Sequence, residues 1–290
     1  MFSKYRKILL AMVSRALFTI HGVMLVWRVV QVKQNSLYWM LLIGLLLLGV
    51  EMAVTLSVTR KGEWKWFSPM VFLYLCSTVP SVFLLELDLV QTRISITNST
   101  ANHILMQGMN LSQPSQWLVS LEQIMILVLV LGRWLMPKGE MNRDQLTQLL
   151  LIYIALGADI LDILNLIKSP AVETNWIIAV VGLSLFSCAL LQFTLALTQS
   201  FDFQDPNNDQ ESDSTLPARG RTGSCSCSSE QWSLVLGVVL QDGPFLVFRL
   251  YLAIAEKVND EMMIFFICKN ILTVIIEIYR IIIIQVTKSR

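Results

Sequence analysis

Residues 37–58 read LYWMLLIGLLLLGVEMAVTLSV, and Glu51 is the one charged residue among them. A helix needs about 20 largely apolar residues to cross roughly 30 Å of hydrocarbon at 1.5 Å per residue. This stretch meets that requirement and is bounded by polar residues on both sides. Seven further segments meet it too, near 8–30, 67–88, 117–136, 146–167, 176–197, 232–256 and 262–286. The predicted fold is all-α, a polytopic integral membrane protein built as a bundle of about eight transmembrane helices.

Composition points the same way. Of 290 residues, 54% are hydrophobic and only 15% charged, against roughly 45–50% and 25% in a soluble domain. The implied partner is the lipid bilayer. A net charge of +1 provides no basic face for nucleic acid, so no nucleic-acid partner is expected. The start MFSKYRKILL is basic and then apolar, as a signal peptide is, but the run contains Arg15 and His21 and continues too long. An uncleaved first span is the expectation. None of the five cysteines lies in the predicted outward loop 89–116, so no extracytoplasmic disulfide framework is implied.

One segment breaks the pattern. Residues 198–231, FDFQDPNNDQESDSTLPARGRTGSCSCSSE from position 201, are acidic and then rich in Ser, Gly and Arg. Such a composition has little to bury, and it predicts a disordered loop. The chain therefore divides into helices 1–6 over 1–197, the loop 198–231, and helices 7–8 with a short tail over 232–290, all one membrane domain. Cys225 and Cys227 stand close to a span and are candidates for S-palmitoylation; a lone CxC is too little for a zinc site.

Orientation follows from positive charge, which is retained in the cytosol. With the N-terminus inside, Lys4, Arg6, Lys7, Arg60, Lys61, Lys65, Lys138, Arg143, Arg219, Arg221, Lys288 and Arg290 are cytosolic, and Lys33, Arg93, Lys168 and Lys257 face outward. Both termini are then cytosolic. The sequons at Asn98 and Asn110 fall on the outward side, which makes those residues candidate N-glycosylation sites. Trp39, Trp64, Trp66, Trp117, Trp134 and Trp176 stand near span ends, where aromatic anchors sit. The expected location is the plasma membrane or the secretory pathway.

The charges inside the spans are the most informative residues. Each costs about 2.5–3.5 kcal/mol to insert, so such groups face the bundle interior and pair. Depth along each span places Arg15, Glu51, Asp242, Glu277, Arg280 and Arg133 in an inner, cytosolic tier and Glu122, Asp159, Asp162, Arg249 and Lys269 in an outer one. Arg15 with Glu51 is the natural interhelical pair. Depth nominates Arg15 or Arg280 for Asp242, and Asp159 or Asp162 for Arg249. Lys269, Asn270, Thr273, Glu277 and Arg280 share an arc of about 100° at 100° per residue, and Asp159 and Asp162 share a face of span 5. Glu122 and Arg133 are nearly eclipsed on span 4. His21, near the midplane, is a candidate relay. Pro80 predicts a kink in span 3. In span 7, Gly243 and Pro244 predict a kink or break, because proline lacks an N–H and clashes with the carbonyl four residues earlier.

Catalytic signatures are missing. There are two histidines, His21 and His103, and no HExxH, GxSxG, phosphate-binding glycine loop or dinucleotide fingerprint. The pair in GADILD, Asp159 and Asp162, lies on one helix, whereas an intramembrane aspartyl dyad needs two helices converging. No cofactor, metal or catalytic residue is assigned, and the chain is not expected to be an enzyme.

Five ordered blocks, KWFSPMVFLYLCSTVPSVFLLE, LGRWLMPKG, RDQLTQLLLIYIALGADILD, QDGPFLVFRL and CKNILTVIIEIYR, together with LFTIHGVMLVWRV near the N-terminus, resemble the transmembrane protein 26 family of vertebrate polytopic membrane proteins. The resemblance implies a multi-pass membrane protein of undefined biochemical activity and carries over no catalytic or ligand residue. Two functional expectations stand beside it. The first is a non-enzymatic interaction or scaffold component of a membrane. The second is a channel or transporter with a pathway along Asp159, Asp162, Asp242 and Arg249.

Overall fold

The computed structural model describes residues 2–58, 67–98, 104–135, 143–194, 235–258 and 261–289. Helices account for nearly all of them: α1 Phe2–Lys33, a 3-10 segment Ser36–Leu41, α2 Leu42–Val58, α3 Pro69–Asn98, α4 Ile104–Leu135, α5 Arg143–Ile167, α6 Trp176–Leu191, a π-helical turn Val238–Asp242 leading into α7 Gly243–Ile254, and α8 Glu261–Ser289. No strand occurs among the described residues. Seven of these helices are long and apolar enough to cross a membrane, and α6 is a shorter apolar helix. The chain is an integral multi-pass membrane protein. Its exposed surface agrees with that solvent: Leu46, Ile177, Val247 and Ile254 all stand outside, as lipid-facing side chains do.

Successive helices run antiparallel, so the end at which α1 begins is called the near end and the opposite one the far end. α3 is central, packing on α1, α2, α4 and α6. α1 lies on α3 and α4, α5 on α4 and α6, and α8 at the edge on α7 and the π-turn. Small residues allow the closest approaches. A Cβ built on Gly132 would stand 2.4 Å from the Phe18 ring, and one on Gly157 would stand 2.4 Å from Ile126. Lipid offers no hydrophobic drive for helices to associate, so such packing and interhelical polar contacts hold the bundle.

One expectation changes, and another takes a specific form. The predicted outward loop 89–116 is mostly helix, because α3 continues to Asn98 and α4 begins at Ile104. Thr92, Ser95 and Thr97 donate to the carbonyls of Asp88, Gln91 and Arg93, so the polar residues beyond the apolar run extend the helix. Pro80 lies inside the single helix Pro69–Asn98. Span 7 is helical over Val235–Ile254, and the irregularity expected there takes the form of a π-turn: the turn before Pro244 widens to π, and the Gly243 N–H donates to the carbonyl of Val238. A π-bulge absorbs the misfit that proline imposes. Gly243 is needed there, since a Cβ would meet the Val238 oxygen at 2.8 Å.

The loop 198–231, with Cys225 and Cys227, lies outside the described residues, as do Trp64 and Trp66. Trp39, Trp117, Trp134 and Trp176 are exposed near the ends of the apolar spans. Asn98 closes α3 and Asn110 falls within α4.

Candidate functional site

The polar interior resolves into four groups. At the near end, the Arg15 guanidinium meets Glu51 face to face, Nε to Oε2 and Nη2 to Oε1, each at 3.1 Å. Nη1 donates to the Ala11 carbonyl at 3.3 Å, and Thr55 donates to Glu51 Oε1 at 2.7 Å. Two fork-on-carboxylate bonds fix direction as well as charge. α1 and α2 are thereby locked at this level.

Above it lies His21. Its Nε2 stands 3.0 Å from the Leu121 carbonyl and its Nδ1 2.7 Å from the Tyr74 hydroxyl. A carbonyl only accepts, so Nε2 carries the proton, and Nδ1 accepts from Tyr74 in the neutral ring. Both nitrogens are thus engaged in joining α1, α3 and α4.

The third group was missed from sequence. Lys168, counted there as an outward loop charge, turns into the far end of the bundle, its side chain 14% exposed. It pairs with Glu86 at 2.8 Å and with Glu122 at 2.5 Å. Burial lowers the pKa of this ammonium, but the two carboxylates outweigh burial and raise it above the usual lysine value. The two glutamates sit within reach of one another. Glu122 therefore faces Lys168 and not Arg133, which is eleven residues away on the same helix, about 16 Å at 1.5 Å per residue; Arg133 is itself buried. The overlooked signal was Glu86, an acid in an otherwise apolar part of span 3.

The fourth group joins α5, α7 and α8. Arg249 is 0% exposed and directs Nε and Nη2 onto Asp162 Oδ2 at 3.1 and 2.8 Å. Its guanidinium lies 4.8 Å from the Phe266 ring centre and 5.6 Å from that of Phe245, a placement in which the ring quadrupole adds attraction. Lys269 pairs with Asp159, and Gln241 donates to the same Asp159 oxygen at 3.4 Å.

Asp242 finds neither partner nominated from depth. Arg15 is committed to Glu51, and the charges acting on Asp242 are those of Asp159, Lys269 and Arg249. Glu277 feels Asp242 in turn and stands against Gly237, just before the π-turn. On the same helix as Glu277, Asn270 is 0% exposed with neither amide atom hydrogen-bonded. Among the described residues, no group of three or more His, Cys, Asp or Glu could hold a metal.

The family model for transmembrane protein 26 matches residues 6–280. The chain belongs to the transmembrane protein 26 family. The match takes in every charged group of the interior from Arg15 to Arg280, so the paired core lies wholly within the region that defines the transmembrane protein 26 family. No solved structure matches the chain.

Proposed function

We propose that this protein is a non-enzymatic membrane component that acts through interaction with other membrane proteins, its charged interior serving to hold the helices in register. The observation that carries this reading is the reciprocal pairing of interior charges across helices: Arg15 with Glu51, Lys168 with Glu86 and Glu122, Asp162 with Arg249, and Asp159 with Lys269. Groups bound to one another on the same side of the balance are poorly suited to exchange with a moving ion. The reading includes the orientation argued from the positive charges, with cytosolic termini, glycans at Asn98 and Asn110, acylation at Cys225 and Cys227, and residence in the plasma membrane or secretory pathway. Removal of N-glycans by a glycosidase, with mobility compared between wild type and Asn98→Gln or Asn110→Gln, tests that orientation.

A second reading, a channel or transporter, is favoured by one observation. Asp242 and Glu277 lie close enough to repel each other, and among the described residues neither forms an ion pair, while Asn270 on the same helix as Glu277 is buried with its amide unpartnered. Purified protein in sealed vesicles separates the two. The interaction reading expects proton and alkali-cation flux no faster than in empty vesicles. Flux above that level, abolished by Asp242→Asn with undiminished folded yield, would establish the conduit instead.

A further inference from the structure

At the far end, α1, α3 and α4 leave a cleft of about 220 Å³ between them. Its walls are apolar at Val32, Leu85 and Leu118 and polar at Arg28, Asp88 and Thr92. The polar members are not equivalent. Asp88 is neutralised by Lys33 at 2.6 Å, and Thr92 donates to its own helix at the Asp88 carbonyl. Arg28, by contrast, makes no hydrogen bond or ion pair with any described residue. Lys33, Asp88 and Arg28 together leave one positive charge uncompensated.

The level of the cleft is fixed by the spans. Arg28 is five residues from Lys33, the end of the first span, or about 7.5 Å at 1.5 Å per residue. Trp27 and Trp117 are exposed beside it, at the depth where indoles meet headgroups. A guanidinium there is aimed at the zone that phosphodiesters occupy, and it matches phosphate in shape as well as charge. The cleft is smaller than the roughly 300–1,000 Å³ of a drug-sized ligand site, so it suits a headgroup whose chains continue along the apolar wall. A charged group entering from water alone would leave the apolar wall of the cleft, where Val32 is the partly exposed member, unmatched.

We propose that this cleft is a phospholipid site, in which the lipid phosphodiester pairs with Arg28 and the first part of an acyl chain covers Val32, Leu85 and Leu118. The lipid supplies the missing negative charge, and its apolar part excludes water from the pair.

Native mass spectrometry of the full-length protein in detergent, with short-chain phosphatidylglycerol added, tests the site. The wild type is expected to retain one lipid through gentle activation, and Arg28→Gln to lose it at least tenfold more readily. Arg93→Gln, at the same end but outside the cleft, should retain lipid as the wild type does. Val32→Trp, which fills the cleft and keeps Arg28, should also lose it, and the melting midpoint of each variant identifies any that has not folded. Inorganic phosphate in large excess should not displace the lipid. Equal retention by Arg28→Gln and Val32→Trp, or displacement by inorganic phosphate alone, would overturn the proposal.

Discussion

The α1–α4 half and the α5, α7, α8 side of this bundle are joined by different physics. Where α1 meets α4, contact is close and largely apolar: Phe18 lies over Gly132, Met125 and Leu129 are buried, and polar groups such as His21 are satisfied by a neutral hydroxyl and a carbonyl. α8 is different. Its helix packs on α7 and the π-turn, and it reaches α5 through the long Lys269 side chain onto Asp159. Packing density decides the first interface, and charge decides the second. In a bilayer the second mode is the more conditional one, because an unpaired charge there is far more costly than an unfilled space.

Breaking a charged group should therefore have the largest effect. Lys168→Met leaves Glu86 and Glu122 buried without a counter-charge, and a loss of about 3–5 kcal/mol is expected. Thermal unfolding in detergent measures it. Adding Glu86→Gln and Glu122→Gln should recover most of the loss, whereas no recovery would mean that Lys168 acts through packing. Next comes the apolar interface. Gly132→Ala places a methyl 2.4 Å from the Phe18 ring, for an expected loss of about 1–3 kcal/mol. Combining it with Phe18→Leu should relieve the clash, and unrelieved loss would show that the glycine matters for its backbone and not for the contact.

A neutral polar contact should matter less. Tyr74→Phe removes the donor to His21 Nδ1, expected at about 1–2 kcal/mol, as for an orphaned buried acceptor. The partly exposed Lys33–Asp88 pair should matter least. Lys33→Met is expected to shift stability by no more than about 1 kcal/mol. A shift as large as that of Lys168→Met would erase the distinction between buried and peripheral charge.

Much of this was legible from sequence. Apolar runs of span length depend only on composition, so the helices and their order follow directly. Arg15 and Glu51 sit at one depth on consecutive antiparallel spans, and depth suffices when helices are neighbours. It fails for Asp242, because depth does not say which side of the bundle a residue faces. α7 lies across the bundle from α1, with α5 and α8 as its charged neighbours. Lys168 was misplaced because it follows the last apolar residue of its span, and no hydropathy pattern distinguishes a lysine that turns inward from one that turns to water. The kink or break expected at Pro244 takes the form of a π-turn for a local reason: one residue of extra backbone re-routes the Gly243 N–H, which the bare clash rule does not specify.

The most direct test of the charged interior as a mutual brace is a double-mutant cycle on Arg249 and Asp162. Arg249→Met alone should lower the unfolding midpoint sharply, because it removes the guanidinium that pairs with Asp162 between α7 and α5. Arg249→Met with Asp162→Asn should melt close to the wild type, since removing both charges removes the debt between them. Losses that simply add, with no recovery in the double variant, would contradict the brace.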